Sequence, residues 1–183
     1  GSVYGAFGYQ NRQESRVSLS SQAASQSDLV FLIGDASSAG EREIDAFFAE
    51  LNAPLFDNDN GALELQLAVR YEDYDTGFDS TDPKIGLLYR NADDNLAVRF
   101  TYGTAFRAPT LFQQTELATS LNATSDPFTA ASTVFLGFTA APNPNLQPEE
   151  ADTYNLGVTW SPMDDLTFSV DYYNIEYTNR LST

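Results

Sequence analysis

The side chains that could do chemistry here are narrowly restricted. The sequence has no His and no Cys, which rules out Ser-His-Asp and Cys-His catalysis, imidazole or thiolate metal ligands, and disulfides. Only carboxylate chemistry remains, of the kind a glycosidase performs with two acids about 5–10 Å apart. Adjacent acids occur at Glu72-Asp73, Asp93-Asp94, Glu149-Glu150 and Asp164-Asp165. The second and fourth pairs lie in turn sequences, and sequence neighbours on a strand face opposite sides. An enzyme is therefore not expected, and no catalytic residue is assigned. Asp57-Asn58-Asp59-Asn60-Gly61 begins like a calcium loop, but Ala62 follows the glycine and no Glu stands at the twelfth place. It reads as a hairpin turn, and neither a metal nor a cofactor is expected.

Charge narrows the partners. Against 26 acidic side chains stand 9 basic ones, a formal net charge of −17, which repels nucleic acid because phosphate neutralisation needs clustered Lys and Arg. Excess acid of this kind fits solvated loops and turns. No apolar run approaches the roughly 20 residues of a membrane helix. The start at Gly1-Ser2 shows no signal-peptide pattern, so any leader is expected to have been removed or to lie outside this stretch.

The elements that must position these residues read as strands. From Leu63, the odd positions Leu63, Leu65, Leu67, Val69 and Tyr71 alternate with Glu64, Gln66, Ala68, Arg70 and Glu72. The same period of two runs through Leu96, Val98, Phe100 and Tyr102, and through Leu166, Phe168, Val170 and Tyr172. Weaker versions occur at Phe47–Leu55, Ile85–Tyr89 and Tyr154–Trp160. This predicts about seven strands, near 3–17, 42–56, 62–75, 83–90, 95–107, 152–160 and 166–180. Several reach the roughly 9–11 residues that cross a bilayer at a tilt. Tight polar turns at 57–61, 91–95 and 161–165 alternate with longer links at 18–41, 76–82 and 108–151, the pattern of periplasmic turns and extracellular loops in an outer-membrane barrel. Among 13 Phe and 10 Tyr, Phe56, Tyr89 and Trp160 sit beside the short turns. Tyr71, Tyr74, Tyr102, Phe106, Tyr172 and Tyr173 lie towards the long links, as two interfacial belts would require.

Several ordered motifs then resemble one family. Phe100-Thr101-Tyr102-Gly103-Thr104-Ala105-Phe106-Arg107-Ala108-Pro109-Thr110-Leu111, Asn143-Pro144-Asn145-Leu146-Gln147-Pro148-Glu149-Glu150 with the run to Val158, Phe47–Leu55, and Ala68–Tyr74 are similar to segments of the TonB-dependent outer-membrane receptors. The resemblance implies an all-β, antiparallel up-and-down meander, part of a transmembrane β-barrel of about 22 strands around a plug. It implies active uptake of a scarce nutrient, siderophore-bound iron, cobalamin or a saccharide, across the bacterial outer membrane with TonB-derived energy. The partners would be outer-membrane lipid, the remaining barrel strands, the plug, and TonB through an N-terminal region. Plug, TonB box, earlier strands and closing strand have no counterpart in residues 1–183, read as one partial barrel domain. A stand-alone soluble β-rich binding module, with its apolar faces packed inward, is the competing reading.

Within the motifs, Arg107 falls on the parity of Arg99 and is expected to order the loop base through an ion pair. Pro109 ends its strand for want of an N–H. Phe106, Ala108, Asn143, Pro144, Asn145, Leu146, Pro148 and Glu149 are expected to position the chain. Phe112, Gln113, Gln114, Phe128 and Phe135 combine amides and aromatics that suit a small or oligosaccharide ligand.

Overall fold

The computed structural model describes residues 2–26, 37–116, 118–125, 133–143 and 145–181. It contains strands β1 (Tyr4–Ser18), β2 (Ser38–Asn58), β3 (Gly61–Tyr74), β4 (Phe78–Asn91), β5 (Leu96–Arg107), β6 (Ala118–Ser125), β7 (Thr133–Ala140), β8 (Glu149–Met163) and β9 (Leu166–Thr178), with short helices α1 (Gln22–Ser25) and α2 (Leu111–Thr115). Seven strands form one sheet in the order β1-β2-β3-β4-β5-β8-β9, and β6 pairs with β7 separately. The seven-stranded meander agrees with the sequence expectation, and every register resolved between its neighbours is antiparallel.

The chain divides into two compact units. One comprises Gly1–Arg12, Glu43–Ala108 and Pro148–Thr183; the other comprises Gln13–Arg42 and Pro109–Gln147.

In the first unit, alternation becomes two faces. One cross-strand row reads Ala53, Leu65, Leu87, Phe100, Leu156, Tyr172. The adjacent row, offset by one residue and so on the opposite face, reads Asn52, Gln66, Gly86, Thr101, Asn155, Tyr173. Much of the apolar face is exposed, with Phe47, Leu51, Val69, Ile85, Leu156, Trp160, Phe168 and Val170 open to the surroundings, while Leu65, Leu67, Leu87 and Val98 are half-buried. The core is correspondingly small: Ile44, Tyr74 and Ala108 are buried together, with Phe78 and Phe106 against them.

Proline sets the irregularities. The β2–β3 register shifts between Pro54 and Phe56, and the β8–β9 register shifts between Trp160 and Met163, where Pro162 lies. A residue without an N–H cannot continue the ladder, so one strand gains a bulge. The first bulge lets both Leu55 and Phe56 stand exposed, although they are sequence neighbours.

Two expected connections need correction. The link at 76–82 is not a long loop: β3 ends at Tyr74, β4 begins at Phe78, and a tight turn with Gly77 at φ +95° joins them. The link at 108–151 is not structureless, since it holds α2 and the β6–β7 hairpin. The turns at 57–61, 91–95 and 161–165 fall where the sequence places them, with Asp164-Asp165 alone between β8 and β9.

Candidate functional site

The polar face of the first unit is built from charge pairs that cross strands. Glu64, Leu88, Arg99, Gly157 and Asp171 form one row from β3 to β9. Arg99 reaches over β8 to Asp171, with Nη2 at 2.5 and 2.6 Å from the two carboxylate oxygens and Nε at 3.1 Å, and its Nη1 donates to Thr159 at 3.2 Å. The crossing requires a bare position between them: a Cβ on Gly157 would lie 2.4 Å from Arg99 Nε and from Asp171 Oδ1. Arg90 donates to Glu64 across β3–β4 at 2.5 Å. Gln66, Gly86, Arg90, Arg99 and Thr101 line a concavity of about 830 Å³ on this face.

Towards the other end of the same strands lies a second charged cluster. Arg70 donates to Glu72 at 2.6 Å and to Gln10 at 3.1 Å, and Tyr74 donates to Glu72 at 2.7 Å. Burial alone would raise the Glu72 carboxyl. Hydrogen bonds from Tyr74 and Arg70, with the charges of Arg70 and Arg12, hold it below the usual carboxylate range. Arg70 and Arg12 thus both act on the Glu72 carboxylate.

On the apolar face, beyond the stripe Phe47–Leu55 of β2, Asp45 accepts from Tyr9 and from Asn11 at 2.9 Å. Those bonds, Asn11's first, hold its carboxyl below the usual range. Asp45, Asp73 and Asp79 follow one another across β2, β3 and β4, just past Phe47 and Tyr71, so the acid sits where headgroups and water begin.

Arg107 and Glu149 are cross-strand partners at the end of the β5–β8 ladder, with Nη1 to Oε2 at 3.1 Å, and Glu149 also accepts from the Leu181 N–H at 2.6 Å. The ion pair joins the two family-like segments. Parity does not carry to Arg107, however. The β4–β5 ladder stops at Lys84 and Gly103, beside Pro83, and past that point Thr104 donates to Asp82 while Phe106 packs on Tyr74 with ring centroids 5.7 Å apart. Asp82 and Tyr74 share the polar-face parity of their strands, so Phe106 takes the side expected of Arg107.

In the second unit the remaining candidates are mostly engaged structurally. Thr110 caps α2, its hydroxyl accepting from the Gln113 N–H while the Gln113 side chain accepts from the Thr110 N–H, a reciprocal capping box. The Gln113 amide oxygen is thereby engaged in the cap. Gln114 is half-buried beside it, and Phe112 lies under the Arg16 guanidinium, 5.0 Å from the ring centroid. Phe135 stands exposed on β7, opposite Ala123. Phe128 and Pro144 lie outside the described residues. Asn143 accepts from the Asn145 N–H at 3.0 Å, fixing the turn, while Leu146 and Pro148 are half-buried.

Sequence reading missed Arg42. It is 8% exposed, donates to Glu14 at 2.8 Å and to the Pro109 carbonyl at 2.7 Å. Nothing local in the sequence marks it. The cap at Thr110 was missed as well, although Thr110-Leu111-Phe112-Gln113 has the capping-box spacing that could have found it.

A sheet with one exposed apolar face, one charge-paired polar face and strands of 12 to 21 residues is a segment of transmembrane β-barrel wall. The family model described as "TonB dependent receptor-like, beta-barrel" matches residues 1–183, and the chain belongs to that family. The ferric enterobactin receptor PfeA of Pseudomonas aeruginosa, a mutant in complex with enterobactin, is similar over 96% of this chain and 24% of its own, at 19% identity and a TM-score of 0.70. The siderophore receptor PirA of Acinetobacter baumannii is similar over 97% of this chain and 25% of its own, at 14% identity and a TM-score of 0.69. The chain therefore spans about a quarter of these receptors. No curated protein sequence matches it.

Proposed function

We propose that this chain is part of the barrel wall of a bacterial outer-membrane receptor that takes up a scarce nutrient with TonB-derived energy, the nutrient being a ferric siderophore. The observation that carries the transport reading is the two-faced sheet. Much of its apolar face, from Phe47 to Tyr172, is exposed where a soluble module would have to pack it inward, and its polar face carries the Arg99–Asp171 and Arg90–Glu64 ion pairs. Such a sheet separates lipid from a polar lumen. The choice among chelate, cobalamin and saccharide is supported by the Arg70 guanidinium on the polar face, a donor suited to an anionic chelate. It is also supported by the similarity to two receptors whose names state enterobactin and siderophore. The remaining strands, the plug and TonB complete the machine from outside these residues, and the outer-membrane lipid covers the apolar face.

The test is uptake by cells producing the full-length chain, offered iron-loaded siderophores, cobalamin or oligosaccharides, with and without an energised inner membrane. Energy-dependent accumulation of iron, weakened by Arg70→Gln, is the expected result. Uptake of sugar or cobalamin with no iron uptake overturns the substrate class, and no energy-dependent uptake of any overturns the transport reading.

A further inference from the structure

The apolar face of the first unit ends in a row of acid that its own strands do not neutralise. Asp45 on β2, Asp73 on β3 and Asp79 on β4 are direct cross-strand partners in turn, all on the parity of Phe47 and Tyr71. Like charges set directly opposite one another destabilise a sheet. Asp45 is engaged by Tyr9 and Asn11. The Asp73 and Asp79 side chains are exposed and have neither a hydrogen bond nor an ion pair among the described residues. No cation of these strands shares their face: residues 43–58 of β2 contain neither Lys nor Arg, and Arg70, Lys84 and Arg90 of β3 and β4 all take the opposite parity. The counter-charge has to come from outside these strands.

Aromatic rings stand beside the row. Tyr71 and Phe47 are cross-strand partners, the Tyr9 ring lies 5.0 Å from Phe47 between centroids, and with Asp45 and Asp73 they line an open concavity of about 450 Å³. Ring faces and carboxylates together attract an organic cation, by the ring quadrupole and by charge. Carboxylates with open lone pairs take N–H donors, which a primary ammonium has and a quaternary one lacks. Next to the concavity the same face continues as Leu51, Val69 and Ile85, exposed and apolar. The ligand that fits both is an amphiphile, cationic at its head and hydrocarbon along its length.

We propose that this concavity is a lipid site, taking the headgroup of a membrane lipid that ends in a primary ammonium, such as a phosphoethanolamine. The ammonium meets Asp73 beside Asp45, its neighbouring methylenes lie against Tyr71, Phe47 and Tyr9, and the acyl chains follow the apolar stripe. The carboxylates select the headgroup, and the stripe takes any acyl chain. This rests on the membrane placement of the apolar face proposed above and not on the transported substrate.

Native mass spectrometry of the full-length protein in detergent tests it, with phosphatidylethanolamine, phosphatidylcholine and phosphatidylglycerol of one acyl composition as probes. The wild type is expected to retain a phosphatidylethanolamine about fivefold more tightly than phosphatidylglycerol, the combined effect of a cation–π contact and an exposed ion pair, and more tightly than phosphatidylcholine. Asp73→Asn with Asp79→Asn should abolish that preference and leave phosphatidylglycerol retained no more weakly, which also reports that the fold stands. Tyr71→Leu, which keeps the apolar wall, should reduce the preference about two- to threefold. In lipid-free detergent the double Asp→Asn variant should unfold at a higher temperature than the wild type, because the opposed charges are gone. Equal retention of phosphatidylethanolamine and phosphatidylglycerol by the wild type, or a preference that survives the double variant, overturns the proposal. Phosphatidylcholine held as tightly as phosphatidylethanolamine overturns the primary ammonium. A chain that is monodisperse in plain buffer and retains no lipid overturns the membrane placement and this site with it. None of these readouts needs transport, so a failed uptake assay and a failed lipid site are separate results.

Discussion

Three arginines show how burial decides what a guanidinium contributes. Arg107 pairs with Glu149 at 57% exposure, where solvent screens the charge, so Arg107→Ala should cost less than about 1 kcal/mol. Arg42 is buried and serves a carboxylate and a carbonyl together, so Arg42→Ala strands two acceptors and should cost about 1–3 kcal/mol. Thermal unfolding of the two variants in detergent would rank them; equal losses would mean that burial is not what separates these sites. Arg99 adds a coupling. Gly157→Ala should push apart the Arg99–Asp171 bridge, and its cost should shrink when Arg99 is already Ala, because the clash with the guanidinium is then gone and the Asp171 carboxylate, no longer bridged, can turn away. Additive losses in that double-mutant cycle would show that the glycine serves the backbone instead.

Glu72 gives the pH dependence at this scale. Its carboxyl is held below the usual range in the folded chain, so it contributes stability that is complete above the ordinary carboxylate pKa of about 4.3 and is lost as the pH falls through the lowered folded value. Acid titration of the unfolding temperature should therefore be shallower in Glu72→Gln than in the wild type. Parallel acid slopes would assign the loss to other carboxylates.

At the scale of the element, hairpins are set by their turns. Gly61 has φ +125°, and a Cβ there would lie 2.3 Å from the Arg90 carbonyl on β4, so Gly61→Ala meets both strain and a backbone clash. A loss of about 2 kcal/mol or more is expected, seen as a lower unfolding temperature, whereas Gly77→Ala, at φ +95° with open space around it, should cost only the strain. These turns were legible because Asn, Asp and Gly announce them, and the middles of the strands were legible because one side meets lipid and the other does not. The strand ends were harder. Phe78-Asp79-Ser80-Thr81-Asp82 reads as loop because it is polar after Phe78, yet it is strand. Past the apolar stripe both faces meet polar surroundings, so no alternation is required of the sequence. The β6–β7 hairpin escaped for a related reason, since β6 is rich in Thr, Ser and Ala with little contrast between alternate positions. At the site, Arg107 and Glu149 were legible through motifs, while Arg42 finds Glu14 and Pro109 across 28 and 67 residues, a pairing only the register can reveal.

For the molecule as a whole, the sorting of side chains between two faces is the feature that everything else depends on. Leu87 lies in the apolar row between Leu65 and Phe100, and Gln66 lies one residue off that row, between Asn52 and Gly86 on the polar face. If lipid covers the apolar face, an arginine there has no counter-charge and no water. Leu87→Arg should then cost about 2–4 kcal/mol, the penalty for a cation near the bilayer midplane. Gln66→Arg should be close to neutral, because Glu64 and the open concavity receive it. Unfolding of the full-length chain in lipid bilayers measures both. A soluble sheet packed on itself would give a similar loss at Leu87, so the deciding comparison is between bilayers of different thickness. A lipid-facing arginine becomes less costly as the membrane thins and the interface approaches, whereas an arginine in a protein core is indifferent to thickness.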